Sequence, residues 1–172
     1  MFPFRFLAVA LALGLVATLP ARAHEPFEIT ADARPRAEGL ELRLTLAWST
    51  TMRACHGGKA PDPWIPPEDF DRQRARIEKH AAGFFVVTAD HEPLAVRDMR
   101  VQLTVENDIE IVLLFNPPAA GTVRFHAAML HVLPREGYGS QFTILARDGA
   151  FLGQETLWPD KPSFELSAAA LR

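Results

Sequence analysis

The chain has 172 residues with 18 basic and 21 acidic side chains, a formal net charge of −3 that argues against nucleic acid and anionic membranes as partners. Cys55 is its one cysteine, so an intramolecular disulfide is excluded and packing must hold the fold.

At the N-terminus, Arg5 supplies a positive charge and residues 6–19 are apolar or glycine apart from Thr18. Ala21-Arg22-Ala23 then offers the small-x-small pattern that signal peptidase reads. Residues 1–23 therefore read as a signal peptide and residues 24–172 as a single β-sandwich domain, in a periplasmic or secreted protein. No later apolar run approaches the roughly 20 residues that span a bilayer. After cleavage the protein is expected not to be a membrane protein itself, and His24 becomes its first residue.

Period-two alternation dominates the rest. Strands are expected at 27–31, 40–46, 83–89, 101–105, 109–115, 122–129, 141–146, 151–157 and 164–166. Asp90-His91-Glu92-Pro93 and Arg147-Asp148-Gly149 read as turns, and Asn107-Asp108 as a hairpin signal. Residues 50–67 read as a loop containing Gly57-Gly58 and Pro61, Pro63, Pro66 and Pro67. One helix is expected over 68–82, with Glu68, Asp69 and Asp71 early, Arg76 and Lys79 late, and Gly83 as its stop. Its apolar stripe is thin: Phe70, Ile77 and Ala81. The fold class that follows is all-β, an antiparallel immunoglobulin-like sandwich of about eight strands with one inserted helix.

Three places could carry metal chemistry. A terminal His24 offers an amine and an imidazole on one residue, and nitrogen ligands in a plane suit Cu(II). The amine's ordinary pKa of about 7.7–8.0 lets copper displace its proton near neutral pH. The stretch from Phe125 to His131 is the richest in soft and imidazole ligands. Strand alternation puts Met129 and His131 on one face, roughly 6–7 Å apart, and His126 on the other unless a bulge intervenes. The alternative there is Met129 in the core and His131 at a polar rim. Met52, Cys55 and His56 are a third set, in the expected loop, where an ordinary loop thiol is the simpler reading. Haem attachment is excluded, because Met52 stands where a second cysteine is needed. His91 and His80 are explained by a tight turn and a helix end.

Hydrolase chemistry finds no pattern: Gly137-Tyr138-Gly139-Ser140-Gln141 lacks the spacing of a nucleophile elbow, and no catalytic residue is assigned. The expected site is therefore His24, Met129 and His131, with copper as cofactor. The expected function is a periplasmic metal-binding module for homeostasis or delivery. The alternatives are a cofactor-free sandwich that binds an inner-membrane or envelope protein through its loops, and a copper-dependent oxidase.

Starting at His24-Glu25-Pro26, the small exported β-protein resembles the periplasmic copper-handling β-sandwich proteins, whose first mature residue is a copper-binding histidine. It is also similar, in Ala23-His24-Glu25-Pro26 and in the loop at 134–139, to uncharacterised exported proteins associated with hydrogenase and urease accessory membrane proteins. Both resemblances imply metal homeostasis.

Overall fold

Alternating apolar and polar residues produce alternating burial wherever a strand has one face on the core. The structure, a computed structural model, describes residues 29–134 and 137–171. In strand β1 (Ile29–Pro35) and strand β2 (Leu40–Ala47) every second residue is buried without a break. Strand β6 (Asp108–Phe115) does the same with Ile109, Ile111, Leu113 and Phe115.

Among the described residues ten strands form two sheets. The larger has the order β5 (Val96–Leu103), β6, β2, β1, β8 (Ser140–Leu145), β9 (Phe151–Leu157). The smaller has the order β10 (Ser163–Ser167), β7 (Thr122–His126), β3 (Val86–Ala89), β4 (Glu92–Pro93). All pairings are antiparallel except β1 with β8, which run parallel with Thr30 opposite Gln141. The described residues are thus mostly β in two sheets. The expected all-antiparallel arrangement of about eight strands is corrected to ten strands with one parallel pair. Period-two patterning reports which face of a strand is buried but not its neighbour's direction.

The sheets share one core. Phe142 of β8 lies 4.9 Å from Phe125 of β7 and 5.6 Å from Phe164 of β10, between ring centroids, and so joins the two sheets. Phe85, which precedes β3, stacks on Phe142 from 6.1 Å. Aromatic pairs at such separations add about 0.5–1.5 kcal/mol beyond the area they bury.

The helical content also departs from expectation. The helix expected at 68–82 is present as α2 (Phe70–Ala81), after a 3-10 turn at Pro67–Asp69, and it buries Phe70, Ile77 and Ala81. It packs on β5 and on a second helix, α1 (Trp48–Cys55), inside the segment expected to be loop. Six of the eight α1 residues are buried (Trp48, Thr50, Thr51, Met52, Ala54, Cys55), so no single apolar stripe marks it. Its end is well formed. Gly58 N–H donates to Arg53 O and Gly57 N–H to Ala54 O, with both glycines at positive φ, the paired bonds of a Schellman cap. No helix among the described residues is long and apolar enough to cross a membrane.

Sheet edges are guarded in the usual ways. Strand β4 is two residues long and ends on Pro93, while β5 has an irregularity between Val96 and Asp98. On β9, Glu155 stands opposite the buried Phe142 and pairs with Lys161 Nζ at 2.8 Å.

Candidate metal centre

Strand β7 carries Val123 and Phe125 into the core and turns Arg124 and His126 outward. On that outer face His126 sits between Val86 of β3 and Ser163 of β10. His126 Nδ1 lies 2.8 Å from Ser163 Oγ. With Nδ1–H donating to the hydroxyl, the Nε2 lone pair is left free for another partner, as in ring nitrogens that bind metals.

The strand does not continue through 129. At Ala127 the backbone leaves the extended region (φ −77°, ψ 73°) and enters a 3-10 turn over Ala128–His131. Hydrogen bonds pin this turn from both sides: Ala127 N–H donates to Pro162 O at 2.8 Å, and Met129 N–H to Phe84 O at 3.1 Å. In a 3-10 turn, residues two apart point about 240° apart rather than the same way. Met129 therefore goes into the core, at 1 % exposure, while His131 faces solvent.

The shared face expected for Met129 and His131 is corrected accordingly, and the side chain beside His131 is that of His126. The His126 and His131 rings lie 5.3 Å apart, centroid to centroid, tilted by 35°. Burial, then the charge of His131, then Arg124 hold the His126 imidazole below its ordinary pKa. That favours the uncharged ring, the form able to bind a metal.

Beside the pair lies a groove of about 720 Å³ lined by Leu130, His131, Trp158, Pro159 and Asp160. Trp158 is reached through the sheet: Thr30 of β1 pairs with Gln141, and Gln141 with Thr156 of β9, two residues before Trp158. The start of β1 and the groove thus occupy the same end of the molecule.

The third candidate set does not form a site. Met52 is fully buried, and Cys55 is buried with its thiol pushed up to about 12, chiefly by desolvation, with the nearby Arg76 charge opposing. His56 Nδ1–H donates to Met52 O at 2.7 Å, and the Arg76 guanidinium donates to His56 Nε2. A carbonyl cannot donate and a guanidinium cannot accept, so the only lone pair of that ring is taken. His80 sits in the last turn of α2, and His91 has φ of 73° in the turn that joins β3 to β4, as expected.

The chain matches no protein-family model and no curated protein.

His24, the segment expected to be a signal peptide and the first residues of the strand expected from Phe27 lie outside the described residues, as do Arg135 and Glu136 of the loop at 134–139. Among the described residues no group of three or more histidines, cysteines or carboxylates is arranged to hold a metal ion. What they offer is a pair of imidazoles with one end of a groove beside it. Alternation alone could not bring His126 and His131 together. The signal that could have done so is the Ala127-Ala128 pair followed by Met-Leu-His, too short a run for either period to be read.

Proposed function

We propose that this is an exported, periplasmic or secreted metal-binding module, copper preferred, serving metal homeostasis or delivery. The close His126–His131 pair, with ring centroids 5.3 Å apart, is the observation that carries the reading. Two imidazoles, one of them held toward its uncharged form, supply half of a nitrogen-rich site suited to Cu(II). His24, as the mature terminus, would complete it with its amine and ring nitrogens. His24 precedes Ile29 by five residues, a reach of roughly 17 Å when extended. Thr30 is separated from Thr156 by two strand spacings, about 10 Å, so the end of the sheet that holds the groove is within that reach.

His131 keeps its expected role in this proposal and His126 joins it. Met129 is a core residue that backs the turn, because its buried thioether has no path to an ion on the outer face. The two-sheet core and its inter-sheet phenylalanines support an immunoglobulin-like sandwich as the scaffold. An oxidase would further need an open coordination position and peroxide-dependent turnover by the copper form.

The test is calorimetric titration of Cu(II) into mature protein and into a form with one extra residue ahead of His24. Blocking the terminus, or changing His126→Ala or His131→Ala, is expected to weaken binding about tenfold or more. Met129→Leu should leave affinity unchanged and lower stability by less than about 1.5 kcal/mol. Equal affinity of the extended and mature forms rejects the terminal-histidine site. Absence of copper binding by the mature protein rejects the metal reading as a whole.

A further inference from the structure

Trp158 is half exposed (48 %) yet firmly placed. Its backbone N–H donates to Lys161 O at 3.2 Å and Lys161 N–H donates back to Trp158 O at 3.0 Å, closing a tight turn over Pro159-Asp160. The proline fixes one backbone angle of that turn. The benzo edge of the indole rests on Gly139, where a β-carbon would stand 2.9 Å from Cζ3, so only glycine gives it room. Lys161 is held in turn by Glu155. A large apolar ring is thus kept rigidly at the surface, although burial of such a ring is what ordinarily stabilises a fold.

The side chains around it are those of a polar ligand site. On one side lies the groove with His131 and Asp160. On the other is an open groove of about 600 Å³ lined by Gln141, Gln154, Glu155, Thr156 and Lys161. Carboxamides, a hydroxyl and carboxylates supply paired donors and acceptors on either side of an apolar platform. Lys161, the one cation lining that second groove, is neutralised by Glu155, and Asp160 adds negative charge, which disfavours phosphate-bearing ligands. Adding a peptide strand along β9 is opposed by Glu155 on the core side of that edge.

We propose that Trp158 and its flanking polar side chains form a binding site for a neutral oligosaccharide. The C–H face of a sugar ring stacks on the indole, and its hydroxyls bond to Gln141, Gln154, Thr156 and Asp160. Because the platform is fixed beforehand, binding orders little of the protein. The site does not depend on the metal reading.

The test is calorimetry of the metal-free mature protein, in chelator, with cellohexaose, chitohexaose and maltohexaose. At least one is expected to bind, with Trp158→Ala reducing affinity about tenfold or more. Trp64→Ala, which removes another exposed tryptophan, should leave binding intact. Gly139→Val should weaken binding by displacing the indole while Trp158 itself remains. Failure of all three sugars to bind overturns the proposal, as does equal affinity of the Trp158→Ala protein.

Discussion

Cys55 and His56 are neighbours in sequence, and both are closed to chemistry by what surrounds them. The thiol is buried at the end of α1 and raised to about 12, so the thiolate that attacks disulfides or binds metals is scarce near neutral pH. In the folded protein Cys55 should react with an aromatic disulfide reagent at pH 8 no faster than the chain opens. Unfolding in denaturant should give one thiol per chain at once. Fast labelling of the native state would contradict this placement. His126 makes a separate prediction through its lowered pKa. Between the ordinary histidine value and the lower folded one, the unfolded chain binds more protons than the folded chain. The folded state therefore keeps its full stability above about pH 6.5 and loses part of it as pH falls through that window. Thermal unfolding followed from pH 7.5 to 5 should show the melting temperature of the parent falling more than that of His126→Gln. Parallel curves would mean that His126 is not held toward its uncharged form.

Among the elements that local patterning misread, helix α1 and the turn over Ala128–His131 were missed for opposite reasons. Helix α1 is buried nearly all round, which erases the stripe by which a helix is recognised, but its Gly57-Gly58 cap was plain in the sequence. The turn follows a true strand without a breaker, and the carbonyls of Pro162 and Phe84 decide its shape from distant parts of the chain. The two elements also touch. Gly58 has φ of 86°, and a β-carbon there would lie 1.9 Å from Val132 O, immediately after the turn. Gly58→Ala is therefore expected to cost more than about 1 kcal/mol in chemical denaturation, since it meets both backbone strain and a steric clash. It should also shift the His131 ring resonances in an NMR spectrum, whereas an unchanged spectrum would separate the cap from the candidate site. Helix α2 was legible throughout, because three buried residues on one face and charges on the others are a local pattern.

At the scale of the whole molecule, the division follows the range of the interactions. The sequence alone determined that strands predominate, which face of β2 is buried, and where the turn at Asp90-His91 falls, whereas the hairpin expected at Asn107-Asp108 turns over residues 104–107, with Asp108 already in β6. Each depends on neighbouring residues whose alternation or backbone preference is read along the chain. It also located the cluster from Phe125 to His131 as the stretch richest in metal-ligand side chains. Tertiary structure decided which of them meet. The parallel pairing of β1 with β8 brings the start of the first strand to the end of the sheet where Trp158 stands. The pinned 3-10 turn sends Met129 inward and lays His131 beside His126. These outcomes rest on hydrogen bonds between residues far apart in sequence, and a period counted along one strand carries no information about them.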